Sequence, residues 1–291
     1  MKILFVNLFF FLSVLVTAQS KNYALAVIST TTNVISPDEE DVQNLQNNQE
    51  SPRGGMNFRN MLDGETKFVT YLKNDLIKTV IKSEMGRSTI YRDNLKKSTT
   101  SIMEMMGSKN GIFVTDDEQV LLQKERDSMM AERRKKDTTS RRYVENDKKN
   151  YTTEISYTNE SKKIASYDCK KAFVITSKLL GIKDTAIIWY TSELKFKNLL
   201  STGNFNIIPG MMGNMSPTLY GLDKIDGFVM RYELNMRRNK RMEVEVTKVE
   251  LEKVIDDKEF NIPKDIEIKP MREMQNMFGG GRGNYMRGGR D

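Results

Sequence analysis

The side chains that could perform catalysis are limited in this chain by the residue types that are missing. Its 291 residues include no histidine and one cysteine, Cys169, beside 39 acidic and 46 basic residues. Ser-His-Asp and Cys-His nucleophiles, histidine proton shuttles and zinc sites built on His or Cys clusters are therefore excluded. Carboxylate, lysine or tyrosine chemistry, oxygen-ligand metal sites and non-catalytic binding remain open.

The acidic residues show no spacing that defines a site. Glycoside hydrolysis needs only two carboxyl groups about 5 to 10 Å apart, but nothing selects one pair among so many. Residues 38–41 are acidic yet lack the alternating oxygen ligands and central glycine of an EF-hand loop, which favours a solvated loop. We therefore expect no catalytic, metal or cofactor site, and a carboxylate-dependent hydrolase is the less favoured alternative.

Cys169 lies beside Asp168, Lys170 and Lys171 at the start of a predicted strand. Neighbouring lysines can lower a thiol pKa, but there is no base or second thiol to work with it. A semi-buried structural cysteine is the favoured interpretation.

Methionines suggest a binding site for an apolar ligand such as an acyl chain. Met is unbranched and adaptable, so a cavity lined with it accepts chains of varied shape. The tentative ligand-binding residues are Trp189, Met211, Met212, Met215, Met230, Met236 and Met242. The alternative is that these methionines fill an irregular core.

The N-terminus predicts export. Residues 1–18 place Lys2 before an apolar run and end in Val16-Thr17-Ala18, the order of a signal peptide cleaved before Gln19. No later stretch is apolar for long enough to span a bilayer as a helix. We therefore expect an exported protein in the periplasm, associated with the outer membrane or extracellular, with no transmembrane span after cleavage.

Two basic segments raise the question of nucleic acid. Residues 133–136 are Arg-Arg-Lys-Lys, and the chain ends in a Gly/Arg-rich stretch that includes Tyr285. Interleaved acidic residues and an exported address favour a solvated helix end for the first. The second is predicted to be a disordered tail, residues 271–291, attracted to anionic surface polymers.

One β-rich domain is predicted for residues 19–270. Strands are expected at 22–31, 66–72, 76–83, 88–92, 154–157, 171–177, 185–190, 228–236 and 242–251. Residues 33–64 have no sustained hydrophobic period of two or 3.6 residues, and this predicts a mobile loop. Residues 115–118, Thr-Asp-Asp-Glu, form a capping box before a charged helix at about 116–136 that buries only a narrow stripe. After Val246 the apolar residues move from even to odd positions, at Val249 and Leu251, and this change predicts a β-bulge near Thr247.

Three segments resemble a known family. They are residues 162–172 (KKIASYDCKKA), 187–194 (IIWYTSEL) and 256–263 (DDKEFNIP). They are similar to the exported DUF4412 and GLPGLI-type families of Bacteroidota, with Ser166 where a Gly is usual, and DUF4412 is the closer label. The resemblance implies a mainly β, α+β fold like the LolA and LppX half-barrel: a strongly curved antiparallel sheet partly covered by helices.

The function that these observations favour is that of a non-enzymatic envelope protein. Such a protein binds or carries a lipid or other apolar ligand in the concave face of its sheet. The alternative is an envelope assembly or protein-interaction component that has no small-molecule ligand.

Overall fold

A computed structural model describes residues 22–35, 64–105, 107–136, 151–178, 183–196, 199, 222, 224–235 and 240–273. The predicted signal peptide, most of the predicted loop at 33–64 and the Gly/Arg tail beyond residue 273 lie outside the described residues. The structure is mainly β with few helices, as the sequence predicts.

Fourteen strands, one α-helix and one short 3-10 helix make up the described part of the chain. In chain order they are β1 (Asn22–Tyr23), β2 (Leu25–Ile35), β3 (Gly64–Lys73), β4 (Leu76–Ser83), β5 (Gly86–Asp93), β6 (Ser98–Met105), β7 (Ser108–Thr115), α1 (Asp116–Lys136), β8 (Tyr151–Ile164), β9 (Tyr167–Lys178), β10 (Lys183–Thr191), β11 (Lys195–Phe196), β12 (Phe228–Asn235), β13 (Arg241–Leu251), the 3-10 helix Asp257–Phe260 and β14 (Ile268–Pro270).

Twelve of these strands form one sheet, in the order β14-β7-β6-β5-β4-β3-β2-β13-β12-β10-β9-β8. All neighbours are antiparallel except β14, which pairs parallel to β7. From β2 to β7 the chain forms an antiparallel meander, of which the β-branched runs and turn residues in the sequence predict the part from β3 to β5. The remaining pair, β1 with β11, forms a separate two-stranded parallel sheet.

The predicted bulge in β13 is present. Val246 pairs with Thr30 and Lys248 pairs with Ser29, so Thr247 is the extra residue on its strand. The insertion shifts the alternation by one position, and Val249 then lies opposite Ile28. One extra residue thus keeps the apolar side chains of both halves of β13 on the same face.

The hairpin between β6 and β7 was not among the predicted strands. Its residues are rich in Ser, Thr and Met, and they lack the run of β-branched apolar residues on which the other strands were recognised. Ile102 and Val114 are nevertheless buried, because β6 and β7 extend a sheet that is already formed by β3 to β5. Tertiary context therefore determines this hairpin more than local propensity does.

Helix α1 covers the range that the sequence predicts. Its capping residue Thr115 accepts a hydrogen bond at Oγ1 from the backbone N–H of Glu118, 3.2 Å away. Arg92 of β5 donates to both carboxylate oxygens of Asp116, and the bond from Nη2 to Oδ2 is 2.8 Å long. Leu122 is buried, whereas Val120, Leu121 and Met129 are exposed. The helix is thus held mainly at its first turn and presents much of its surface to solvent.

The segment after β13 is fixed to strands far away in sequence. Lys73 Nζ donates to the carbonyl of Ile255 at 2.8 Å and also to Asp257, and Lys78 Nζ lies 2.7 Å from Glu259 Oε2. Ile255 and Ile266 are buried. These contacts anchor the segment to β3 and β4, and β14 pairs with β7.

Candidate functional site

One face of the sheet is lined with threonine and apolar side chains. We call it the threonine face, defined by Thr30, Thr32, Thr66, Thr70 and Thr79, all of which are buried. Residues directly opposite each other on neighbouring strands share a face. Such pairs form a buried row across six strands, Ala172, Ile188, Tyr232, Val244, Thr32 and Thr66. This row contains no charged side chain.

The hydroxyls on the threonine face differ in their hydrogen bonding. Thr70 and Thr79 are cross-strand neighbours, and their Oγ1 atoms lie 3.2 Å apart, within hydrogen-bond distance. Thr32 and Thr66 are also cross-strand neighbours and are 1% and 0% exposed, but neither Oγ1 has a hydrogen-bond partner. Two adjacent hydroxyls on an apolar surface are thus left able to bond.

Tyr232 is buried in the same row, on β12, with β13 between it and the strand of Thr32. Burial raises the pKa of its phenol well above the usual value, so the hydroxyl remains neutral. The row therefore offers uncharged hydrogen-bonding groups only.

The predicted methionine site is described in part. Met230 and Met242 are 1% and 0% exposed and belong to two different buried clusters. Trp189 is half-buried and packs against the cluster that contains Met230. Met211, Met212, Met215 and Met236 lie outside the described residues, so their part in the site stays a prediction.

The opposite face is charged. We call it the charged face, defined by a row of directly opposed residues across ten strands: Lys171, Trp189, Arg231, Glu245, Thr31, Lys67, Lys82, Arg87, Glu104 and Lys109. Trp189 therefore lies on the face opposite Tyr232. Its ring is covered by Lys162, whose Nζ is 4.2 Å from the ring centroid. Burial, followed by the charge of Arg231, lowers the pKa of Lys162.

Arg231 organises the glutamates of this face. It donates to Glu233 and Glu245 at 2.8 Å each and to Glu243 at 3.2 Å. Glu233 and Glu243 are directly opposite each other, so the guanidinium screens two like charges. Burial is the largest single effect and lowers the pKa of Arg231, but the hydrogen bonds it donates to Glu245 and Glu233, together with the charges of these carboxylates, raise it, and the net shift is upward. These carboxylates are thus engaged in ion pairs.

Lys67, Lys82 and Arg87 form a different arrangement in the same row. They are three cations on consecutive strands β3, β4 and β5, and all three are exposed. Lys67 has an ion pair with Glu65 of its own strand at 3.4 Å. Within the described residues, neither Lys82 nor Arg87 lies within ion-pair distance of a carboxylate. Directly opposed like charges destabilise a sheet, so this cationic triplet has a cost for folding.

Cys169 is fully buried. Burial is the main cause that raises its thiol pKa to about 11. Burial and the raised pKa make this thiol unreactive, in line with the structural role that its sequence context favours.

Two searches of the described residues gave negative results. No group of three or more His, Cys, Asp or Glu side chains in the described ranges is arranged to hold a metal ion. In the same part of the chain, no helix is both long and apolar enough to cross a bilayer.

Sequence reasoning missed both the threonine pair and the cationic triplet. The signal for the first is the spacing Thr30, Thr32 and Thr66, Thr70, which has the period of a strand. It identifies a shared face only when the register between strands is known, because a shift of one residue moves every side chain to the other face. The cations of the triplet lie in three separate strands and have no common motif.

Comparisons with known proteins identify the family. No curated protein matches the sequence. Two solved structures of PNGF-II, in space groups C2 and P21, are similar at 16% identity with a TM-score of 0.34. The matches cover 88% and 87% of this chain but only 32% and 33% of PNGF-II, so the chain spans about a third of that protein's length. A similarity at this TM-score indicates neither the fold nor the function of this chain.

A family model covers most of the chain. Residues 61–266 match the model for DUF4412, a domain of unknown function. They include all three segments that carry the resemblance in the sequence. The chain therefore belongs to the DUF4412 family.

Proposed function

We propose that this protein is an exported, non-enzymatic envelope protein that binds a lipid or another apolar ligand on the threonine face. The proposal includes a sheet curved into a half-barrel of the LolA and LppX type, with the ligand on its concave side. The sheet runs from β8 at one edge to β14 at the other.

The observation that carries the proposal is the uncharged row across six strands of the threonine face. Ligand sites for apolar molecules are mostly apolar, with a small number of polar groups that orient the ligand. The row from Ala172 to Thr66 has this composition. The charged side chains of the neighbouring positions alternate to the opposite face, as the period of a strand requires.

Trp189 and Met230 provide the test. Trp189 is the only Trp; it lies on the charged face but packs against the cluster of Met230, so a lysolipid or fatty acid that contacts this cluster from the threonine face is expected to shift its emission to a saturating value. The midpoint of thermal unfolding should rise with lipid concentration, because a ligand that binds only the native state stabilises it. Met230 is 1% exposed without ligand, so a charge there would be buried; Met230→Ala, which keeps the site uncharged, is expected to weaken both responses while the protein remains folded.

The control is Met129→Ala in α1, where the side chain is 55% exposed. It should leave both responses unchanged. The proposal is contradicted if no lipid gives a saturable shift while the protein is folded, because this result describes a closed, packed core.

The cationic triplet favours a second candidate function, that of an envelope component that binds an anionic lipid surface and has no small-molecule ligand. Three opposed cations of this kind attract phosphate groups, with an attraction that weakens as salt increases. The wild-type protein is expected to cosediment with phosphatidylglycerol vesicles and not with phosphatidylcholine vesicles. Cosedimentation with the phosphatidylglycerol vesicles should fall when Lys82 and Arg87 are both changed to Gln. Lys253→Gln, which removes a lysine paired with Glu250, is the control, and equal loss in both variants would contradict this function.

A further inference from the structure

The two unpartnered hydroxyls of the threonine face indicate the chemistry of the ligand. Thr32 and Thr66 are opposite each other on β2 and β3, and both are almost fully buried with no hydrogen bond to Oγ1. A buried hydroxyl without a partner destabilises the native state, and most buried polar groups in proteins are therefore bonded. Two such groups side by side are suited to bond a third molecule.

The neighbouring threonine pair shows that the geometry of the sheet does not prevent bonding. Thr70 and Thr79 occupy the same face and are within hydrogen-bond distance of each other. Thr32 and Thr66 have the same relation in the register but do not bond. Thr70 and Thr79 can therefore hydrogen-bond to each other, whereas the hydroxyls of Thr32 and Thr66 remain available to another molecule.

The surroundings of the available pair favour an uncharged polar group on the ligand. Val244 lies opposite Thr32 on the other side, and the row that continues to Tyr232 contains no charge. Burying an ion beside such groups without a counter-charge is strongly unfavourable. A threonine hydroxyl can instead donate to an ester carbonyl and accept from an alcohol.

The surroundings of Gly64, two residues before Thr66, also bear on the charge of the ligand. It lies opposite Val34, and among the described residues a Cβ built there would meet only the side chain of Glu84, whose Oε1 is 3.9 Å away. Among the described residues, the side chain next to this position is therefore a carboxylate. A carboxylate at this end repels an anionic headgroup, so it disfavours a free fatty acid.

We infer that Thr32 and Thr66 are the polar anchor of the apolar-ligand site and that the ligand is an uncharged amphiphile, an acyl chain that ends in an ester or alcohol group. The inference rests on the proposed function, because it places the anchor on the face where the apolar ligand binds. A monoacylglycerol is the simplest molecule of this class.

The experiment compares three probes of the same chain length by isothermal titration calorimetry: 1-monooleoylglycerol, oleate and 1-octadecene. The wild-type protein is expected to bind monooleoylglycerol about tenfold more tightly than the other two, the ratio that one or two net hydrogen bonds provide. In the double variant Thr32→Val and Thr66→Val, which keeps the shape and removes both hydroxyls, monooleoylglycerol and octadecene should bind equally.

Two further variants distinguish a ligand contact from a change in folding. Thr31→Val removes a hydroxyl from the charged face of the same strand as Thr32 and should leave the preference for monooleoylglycerol intact. Thr32→Ser with Thr66→Ser retains both hydroxyls and should also keep it. Without ligand, the double variant at Thr32 and Thr66 is expected to unfold at a higher temperature than the wild type, because two unbonded buried hydroxyls have been removed.

The outcomes separate this inference from the proposed function. If the wild type binds monooleoylglycerol and octadecene equally, or the valine variant at Thr32 and Thr66 keeps the preference, the apolar site stands and the threonine anchor is overturned. If the folded wild type binds none of the three probes, both are overturned.

Discussion

At the scale of single residues, Cys169 illustrates how position in the fold determines reactivity. Its neighbours in sequence include two lysines that would lower a thiol pKa, but burial raises that pKa to about 11. The sequence context alone could not decide between the two effects, because it does not report how far the side chain is from solvent. The structure shows that burial is the larger one.

Alkylation of Cys169 should therefore be slow in the native protein. At pH 8 the thiolate fraction in the folded state is about 200-fold lower than in an unfolded chain, where a free thiol has a pKa of about 8.5. We expect iodoacetamide to react at least about 100-fold faster in denaturant than in buffer, as followed by intact mass. Equal rates in a protein shown to be folded by circular dichroism would contradict the burial of this thiol.

Ser166 is a residue whose type does not match its backbone conformation. It follows Ala165 in the two-residue turn between β8 and β9, and both have positive φ, 46° for Ala165 and 76° for Ser166. Such turns favour Gly, and the family resemblance has a Gly at Ser166. Its departure from the family pattern therefore has a physical cost.

Ser166→Gly should stabilise the protein by about 0.5–1 kcal/mol, because Gly adopts positive φ without steric strain. The midpoint of urea unfolding is the measurement. As the control, Ser156→Gly at an exposed, extended position inside β8 should destabilise the protein, since Gly loses more entropy there. A decrease in stability for Ser166→Gly would show that the hydroxyl has a role that outweighs the strain.

At the scale of elements, the boundaries of α1 follow from local chemistry that the sequence displays. Thr115 caps the helix and Asp116 pairs with Arg92. The hydrogen bond from Arg92 is the main cause that lowers the pKa of Asp116, against the opposing effect of burial. The capping motif was visible in the sequence, but the partner from β5 was not, because it is 24 residues away.

Asp116→Asn should lower the melting temperature at pH 7 and not at pH 2–3. A carboxyl whose pKa is depressed in the folded state stabilises it above its unfolded pKa of about 3.9, and this contribution is lost as the pH falls through the folded value. The side chain is 40% exposed, so solvent screening limits the effect to less than about 1 kcal/mol. A difference in melting temperature that persists unchanged at pH 2–3 would contradict the ion pair as its cause.

Some strands are predicted by their local sequence pattern, whereas others form only because they pair with the rest of the sheet. The alternation in β12 and the switch of parity in β13 predicted both strands and the bulge at Thr247, since burial on one face enforces a period of two. The pair β6 and β7 has no such pattern. Its strands are stabilised by hydrogen bonding to β5 and by the parallel contact of β14, which no local window contains.

At the scale of the whole molecule, the register of twelve strands creates the two faces. Thr32 and Thr66 are separated in sequence by the whole predicted loop at 33–64 and become neighbours only through pairing of β2 with β3. Sequence reasoning identified Met230 and Met242 from residue type, but the register distributes them to different clusters. Long-range pairing is the information that a single sequence lacks, and it determines the candidate site.

The central claim is that the folded chain binds one uncharged, apolar ligand. Native mass spectrometry of the purified protein with an excess of 1-monooleoylglycerol tests it most directly. We expect a complex with one lipid per chain that persists in the variant Thr31→Val, on the charged face of β2, and is reduced about tenfold in the variant Thr32→Val with Thr66→Val. A spectrum that contains only the unliganded mass of a folded protein, at lipid concentrations that saturate other carriers, would show that the chain has no such ligand.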